Sequence, residues 1–565
     1  MRRVEVPVLI VGAGPVGMTA SILLARHGIA NLVVDRRPGP HRAPQAHVVN
    51  PRTLEIFRGM GLDAATLRAH ATPRADGSHV AWVTTLAGQE LGRLPYERQG
   101  DDALAYTPTP LLNLSQHRLE PLLLDHLRTH DGAMLHYRHE WVSLEQDATG
   151  ITARLCDLDR HEEYEVRSRW LLAADGAGSR VRHALGVDMI GPDRLQSFIM
   201  IHFEADLRAI VRERPAILYW AVDPECAGAF VAHDIDRTWV FMHAYDPDTQ
   251  PAETFTEAVC AGLVRRAIGP VHVDLAVRNV SPWTMTAQVA ERYRVGRVFL
   301  VGDSAHRFPP SGGMGMNTGI QDVHNLVWKL GAITEGWADT ALLDTYDRER
   351  RPIAKRNAEQ SFVNAMRMLE LFTELGILEN TPAARAALEA TLADPAGRER
   401  VARGIANQQD HFDMLGLQLG LGYESGALMP DGSAPPAPSN PVREYLPTTR
   451  PGARLPHAWI ERRGERCSTL DLVAGDRCTL IAGPGAARVD AAARRASIPL
   501  LCLVEGRDFA DPEGHWRRVR GIDDDGALLV RPDQHVAWRT LRAPRDAPAS
   551  LADAMRAIAG RNDRD

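Results

Sequence analysis

What the chain lacks narrows its class first. Its six cysteines (Cys156, Cys226, Cys260, Cys467, Cys478 and Cys502) form no C-x-x-C pair and no metal-ligand spacing. That excludes a thiol redox motif and a cysteine metal site, and reads as reduced thiols in a cytoplasmic protein. No apolar run approaches the roughly eighteen residues of a membrane helix, so no membrane partner is expected. The run behind Arg2 and Arg3 is short and ends in glycine rather than at a small-residue cleavage site; a buried strand is expected there, not a signal peptide. Positive charge is not in excess either: 65 Lys and Arg face 72 Asp and Glu, a formal net charge of −7. This argues against a general nucleic-acid binder, though a local basic patch could hold a phosphate. Internal repeats and long charge runs are absent. The remaining composition, 44% hydrophobic and 24% charged over 565 residues, is that of a globular chain with room for two to four domains.

What is present is glycine in three informative places. "VPVLIVGAGPVGMTASILLARHGIANLVVDRR" reads as a strand (6–11), a glycine turn, a helix to about His27 and a second strand ending on Asp35. This is G-x-G-x-x-G in its full strand–turn–helix setting, with an acid about twenty positions on. Gly12 permits the tight turn, Gly14 lets backbone approach a pyrophosphate, and Gly17 lets helix and strand pack closely. The helix start through Pro15 and Val16, with Ala13 in the turn, offers free N–H groups to phosphate. Asp35 can accept from a ribose hydroxyl. The fingerprint alone does not separate NAD from FAD.

Two later segments return to the same domain. "RWLLAADGAGSRVRHALG" (169–186) is an apolar strand ending in Asp175-Gly176, and "GRVFLVGDSAH" (296–306) is another ending in Gly302-Asp303. The second leads into "RFPPSGGMGMNTGIQD", two prolines and a glycine cluster before an amphipathic helix. Glycine at that density weakens a fold, so something is expected to lie against this backbone. A single nucleotide domain threaded by long insertions fits this layout; a simple dehydrogenase module does not.

Together the three motifs resemble those of the single-component (class A) FAD-dependent aromatic hydroxylases, above all the phenol and chlorophenol hydroxylases and the aromatic-polyketide hydroxylases. The likeness covers about residues 4–375. It implies an α/β fold: a Rossmann-like FAD domain of the glutathione-reductase type, an inserted antiparallel-sheet substrate domain and a C-terminal thioredoxin-like domain. It also implies that Gly12–Gly17, Asp35 and Arg36 hold the ADP part of FAD. Arg42 and Arg118 should reach the nucleotide and pyrophosphate, although a solvated surface charge is the ordinary fate of arginine. Val142 should offer backbone groups to adenine, and Asp303 should bind the ribityl chain. Pro310, Gly312, Gly313 and Gly315 would then lie along the isoalloxazine ring. Met316 and Asn317 would start a helix whose positive end favours negative charge on the reduced flavin.

The implied chemistry is largely the cofactor's. NADPH or NADH reduces FAD, dioxygen adds to give a C4a-hydroperoxide, and its terminal oxygen passes to an electron-rich ring kept dry by the protein. No second strand–GxGxxG–helix unit occurs, since "AGPGAA" (482–487) lacks the spacing. The nicotinamide is therefore expected to bind transiently, and NADH and NADPH are not distinguished. The expected substrate is a small phenolic or polycyclic aromatic molecule. Strand-like alternation in "AILYWAV" (216–222), "GAFVAH" (228–233) and "TWVFMHAY" (238–245) suggests a half-buried antiparallel sheet over the flavin. Tyr219, Phe230, His233 and Trp239 are its candidate lining residues, with His47 reaching from the flavin side, and ordinary sheet packing as the alternative for each. No residue stands out as a catalytic base, and no metal is expected.

The expected division is 1–74, 105–185 and 281–375 for the FAD domain, with 75–104 and 186–280 for the substrate domain. A helical segment (376–430, broken at 378–383), a proline-rich connector (431–460) and a thioredoxin-like tail (461–560) without C-x-x-C follow. The tail is read as structural, with a homodimer contact as its candidate role. Competing readings keep the fold but oxidise a ketone, inactivate an antibiotic, or bind flavin without catalysis. A flavin halogenase is disfavoured because "NLVWKL" does not supply the Trp-x-Trp-x-Ile-Pro segment.

Overall fold

The computed structural model describes residues 2–377, 381–494, 496, 498–542 and 547–561; of the expected helical break, 378–380 lie outside them. The strand Arg2–Val11 is apolar on both faces over Val8, Leu9 and Ile10, which are fully buried, as a central parallel strand must be. It pairs in parallel with Asn31–Asp35 on one side and Glu162–Ala173 on the other. Ala133–Tyr137 and Val298–Leu300 extend this parallel layer outward. The outer half of Glu162–Ala173 continues into an antiparallel meander with Ile151–Asp157 and His139–Gln146. The helices Pro15–Arg26, Gln116–Leu127 and Met314–Thr334 cover the sheet.

A second sheet has seven strands. Its order is Ala276–Met285, Gln196–Glu204, Thr238–Tyr245, Gly228–Asp234, Leu218–Ala221, His79–Val83, Glu90–Pro95. Residues from both insertions share it. One pairing, Leu218–Ala221 with His79–Val83, is parallel, so the sheet is mixed rather than purely antiparallel. Those two strands come from separate insertions, so no tight hairpin dictates their direction. One face packs on the helix Glu257–Ile268, and the other meets Val48, Tyr96 and the long helix Asp344–Leu375.

The tail is a β–α–β unit followed by a hairpin and a helix. Its sheet order is Leu500–Val504, Cys478–Ala482, Ala527–Val530, Val536–Thr540, with the first pair parallel and the others antiparallel. This is the thioredoxin-like arrangement. The connector before it is irregular, but Leu455, Ala458 and Ile460 already pack into the tail's core. The tail is also tied to the parallel-sheet domain by buried charge. Arg454 pairs with Glu55 at 2.8 Å, Arg52 donates to Gln534 at 2.6 Å, and Arg531 donates to both oxygens of Glu349 at 2.7 and 2.9 Å. All six cysteines are unpaired, and no described helix is long and apolar enough to cross a membrane.

Candidate active site

The first turn separates packing glycines from an open one. A Cβ on Gly12 would lie 2.1 Å from the Ala174 carbonyl oxygen, and one on Gly17 would lie 1.9 Å from the Gly12 oxygen. A Cβ on Gly14 would meet nothing within 4 Å. Backbone at Gly14 therefore faces open space, at the head of a helix that begins with Pro15 and has no side-chain cap. Its first N–H groups have no intrahelical partners and suit an anion. Asp35 accepts from Ala13 N at 2.7 Å and Arg37 Nη2 at 2.9 Å, so it closes the turn. Burial raises its pKa, but the Arg37 hydrogen bonds and charge outweigh this and hold it below the ordinary carboxylate value. Arg37 also faces buried Glu120, which accepts from His41 N and Gln116. Neither Arg37 nor Glu120 was singled out from sequence, because an isolated charge carries no sign of its partner.

The other nucleotide-side residues divide by their partners. Arg36 and Arg42 are exposed, with no hydrogen bond or ion pair to the described residues. Arg118 is committed to the roof sheet: it pairs with Asp234 at 3.0 Å and donates to the His70 carbonyl. Val142 falls where the register between His139–Gln146 and Ile151–Asp157 slips, between Trp141 and Ser143. A bulge of this kind leaves backbone groups unpaired.

Asp303 follows Gly302 at the end of Val298–Leu300. Its side chain is accessible and has no hydrogen-bond or ion-pair partner among the described residues. Surrounding protein raises its pKa by desolvation, against the opposing pull of His306 and Arg307. An unpartnered, accessible carboxylate can accept from a donor, and the hydroxyls of a ribityl chain are such donors. A buried network stands behind it. Asp322 accepts from Arg350 Nε at 2.8 Å, lies 2.8 Å from His306 Nε2 and accepts from Gly302 N at 3.2 Å.

The glycine cluster serves two purposes. Gly312 and Gly313 have φ of +99° and +61°, and added Cβ atoms would strike Met414 and Val48. Their glycines are thus required by backbone conformation and packing, whatever lies in the cleft. Gly315 is different: the nearest atom to its added Cβ is Asp303 Oδ1, 3.9 Å away. Pro310 accepts from Gly313 N at 2.9 Å to close the preceding turn. The helix begins at Met314, two residues before the expected start at Met316, with Gly313 as an uncapped N-terminal residue. Asn317 is buried and fully engaged: it accepts from Asn50 N and donates to the carbonyls of Val48 and Gly313. It clamps the 48–50 segment onto the helix.

The roof sheet splits the five substrate candidates. Tyr219, Phe230 and Trp239 are fully buried on the face that packs against Glu257–Ile268, away from the parallel-sheet domain. The Tyr219 hydroxyl is spent on the Arg214 carbonyl and Ala216 N. These three residues are core, and the expectation that they line the cleft is corrected. His233 is on the other side. It sits where the register slips between Ala232 and Asp234, and its ring meets His47 edge-on with centroids 5.6 Å apart. The same face carries residues that sequence reasoning did not pick: half-buried Met200, His202 and Met242, and the Phe198–Trp283 pair at 5.6 Å. Their alternation with buried Ile199, Ile201 and Phe203 was the available signal.

The glycine turn, the open helix ends and the free Asp303 fit an extended dinucleotide with a planar ring under an apolar roof. This defines the class: a flavoprotein with a roofed aromatic site. The FAD binding domain family model matches residues 5–361, and the aromatic-ring hydroxylase C-terminal model matches 448–562. The chain belongs to this family of FAD-dependent aromatic-ring hydroxylases. It is 36% identical to 2,4-dichlorophenol 6-monooxygenase of Cupriavidus pinatubonensis over 586 positions, covering 99% of this chain and 97% of that one. Two solved structures are similar throughout. The flavin-dependent monooxygenase PieE, in complex with FAD and substrate, is 38% identical with a TM-score of 0.93, and 100% of each chain is covered. Aklavinone-11 hydroxylase, in a ternary complex with FAD and aklavinone, is 34% identical with a TM-score of 0.80, covering 99% of each. The chain is accordingly an FAD-dependent aromatic monooxygenase with NAD(P)H as reductant.

Proposed function

We propose that this enzyme hydroxylates a phenolic ring within a polycyclic aromatic molecule, with dioxygen as the oxygen source. The observation that carries this reading is the flavin-facing side of the roof. Phe198, Met200, Met242 and Trp283 leave apolar surface incompletely covered across three adjacent strands, more breadth than one ring needs. Resemblance to a hydroxylase solved with aklavinone supports it; resemblance to a dichlorophenol monooxygenase supports a single-ring phenol as the second reading.

In this reading the turn at Gly12–Gly17, with Asp35 and Arg36, holds the adenosine diphosphate. Arg42 closes over it, and the unpaired backbone at Val142 meets adenine. Asp303 holds the ribityl chain, while Pro310, Gly315 and Met316 border the ring, with Gly313 and Asn317 fixing that border. When bound, FAD supplies reduction by NADPH or NADH and oxygen activation. The protein's part is to exclude water, orient the substrate and manage its proton. The domain division 1–74, 105–185 and 281–375 around 75–104 and 186–280 belongs to the same reading. Six unpaired cysteines support a cytoplasmic setting. The homodimer expected of the tail is tested by light scattering.

The experiment is NADH and NADPH oxidation measured with 2,4-dichlorophenol, simple phenols and aklavinone, with product mass. The expected result is fastest coupled turnover with the polycyclic substrate and a product heavier by one oxygen. Coupled turnover confined to single-ring phenols would select the second reading.

A further inference from the structure

The last hairpin of the tail's sheet carries a residue that its backbone disfavours. The segment "LVRPDQHVAWR" (529–539) joins the strands Ala527–Val530 and Val536–Thr540. Its turn is closed by Gln534 N on the Arg531 carbonyl at 2.9 Å and by Arg531 N on the His535 carbonyl at 2.8 Å. Gln534 sits there at φ +63°, in the left-handed region where glycine is at ease and a longer side chain is not. Strain of this kind persists where the surroundings demand it and clusters at functional places. Here the side chain is buried at 7% exposure, and its Oε1 accepts from Arg52 Nη1 at 2.6 Å. The neighbouring Asp533 carbonyl accepts from Arg52 Nη2 at 2.8 Å.

From this hairpin, contacts reach the glycine cluster by three routes. Arg52 stands in the first turn of the helix Pro51–Met60, whose N-terminal residue Asn50 donates its N–H to Asn317 at 3.0 Å. Asn317 in turn donates to the Val48 and Gly313 carbonyls. Asp533 Oδ2 accepts from Asn325 Nδ2 at 3.3 Å, on the helix that starts at Met314. The His535 ring stacks on Tyr423 with centroids 4.5 Å apart, and Arg350 Nη1 donates to the Tyr423 hydroxyl at 3.4 Å. Arg350 Nε donates to Asp322, which accepts from Gly302 N, next to Asp303. One turn thus bears on Val48–Asn50, on the helix start at Met314 and on Gly302-Asp303. Two other attachments of the tail end elsewhere. Arg58 and Asp471 pair at 2.8 Å at the far end of the Pro51–Met60 helix, and Asp339 N donates to the Ala559 carbonyl at 2.8 Å.

We infer that the hairpin Arg531–His535 is a positioning element for the flavin. It fixes the spacing between Val48–Asn50, the helix start at Met314 and Gly302-Asp303, and so raises FAD affinity from outside the cleft. Gln534 holds its strained place because its amide completes the grip on Arg52. The inference rests on the FAD placement proposed above. Coupling of this kind is reciprocal, so bound FAD steadies the hairpin by as much as the hairpin favours FAD.

Stability and positioning separate at this one residue. Q534G loses the amide and relieves the left-handed strain, whereas Q534A loses the amide and keeps the strain. Stripped of FAD, full-length Q534A should therefore melt below Q534G. Both should nevertheless bind FAD more weakly than wild type by the same factor, roughly 2–30-fold, in fluorescence-quenching titrations well below either melt. Wild-type FAD affinity in Q534G, or affinities that follow the order of the melts, would overturn the assignment and leave the hairpin a structural tie. Hydrogen exchange needs no variant, so it decides the matter even if both variants misfold. When FAD is added to stripped wild-type protein, the amides of Arg531–His535 should slow more than those of Leu500–Val504, at the opposite edge of the tail's sheet. Equal slowing in the two segments, or none at the hairpin, would overturn it too. D303N checks the placement beneath: wild-type FAD affinity in that variant, with Q534G still weakened, would sink the cofactor placement instead.

Discussion

The glycines of the first turn offer a clean separation of fold from site. In G17A the new methyl would sit 1.9 Å from the Gly12 oxygen, where a relaxed contact needs about 3.5 Å. The helix Pro15–Arg26 must retreat by more than an ångström from a strand whose Val8, Leu9 and Ile10 are fully buried. Overpacking of this kind costs about 1–3 kcal/mol, and G12A adds a residue forced to φ +108° against the Ala174 oxygen, worth about 1–3 kcal/mol more. G14A meets no protein atom within 4 Å, so its cofactor-free stability should stay within about 0.5 kcal/mol of wild type. In the proposed reading that methyl projects toward the pyrophosphate. FAD titration by fluorescence quenching should show G14A weakened at least tenfold, about 1.4 kcal/mol, while thermal melts of the stripped protein single out G12A and G17A. Normal FAD affinity in G14A, or a cofactor-free melt as low as that of G17A, would refute the reasoning.

Other perturbations test the parts around that turn. R531M would leave buried Glu349 with Lys329 as its one remaining cation among the described residues and take the arginine from buried Asp533, and removing one partner of such a network costs about 3–5 kcal/mol. Chemical denaturation should register it, with a smaller loss in the double variant R531M/E349Q than the two single losses summed. D303N should bind FAD more weakly by about 1.5–3 kcal/mol, the worth of a charged hydrogen bond. The cofactor-free protein should melt no lower, because an unpaired carboxylate is removed. Glu349 is held down to about 2 from 4.5: burial raises its pKa, but the charges of Arg531 and Lys329 outweigh that effect. A group depressed in the folded state binds fewer protons there than when unfolded, so its contribution is complete above pH 4.5 and lost as pH falls toward 2. Melting temperatures between pH 6 and 3 should therefore fall more steeply for wild type than for E349Q.

The legible parts of the molecule were those whose signal is local. A strand, a glycine turn, a helix and an acid in register gave the first strand–helix–strand unit, and the Gly302-Asp303 strand followed by glycines gave the turn before the helix Met314–Thr334. Period-2 alternation also placed the roof strands Gly228–Asp234 and Thr238–Tyr245 within a residue or so. Alternation gives two faces but does not say which one looks at the cofactor. Tyr219 pairs with Phe230, Phe230 with Phe241 and Ala232 with Trp239, so these residues share a face, and only tertiary packing sends that face to the helix Glu257–Ile268. The bulge that frees His233 is equally invisible in sequence. The buried ion pairs were out of reach for another reason: Arg454 and Glu55 are 399 residues apart, and each alone resembles a solvated charge. Gly312 and Gly313 show a third limit, since composition reveals that side chains are unwelcome but not whether a ligand or Met414 and Val48 exclude them.

Isotopic oxygen tests the central claim most directly. With the polycyclic or phenolic substrate that stimulates NAD(P)H oxidation, turnover under labelled dioxygen in ordinary water should give a product carrying one labelled atom on the aromatic ring. An unlabelled hydroxyl, or reductant consumed with no oxygen added to the substrate, would contradict it.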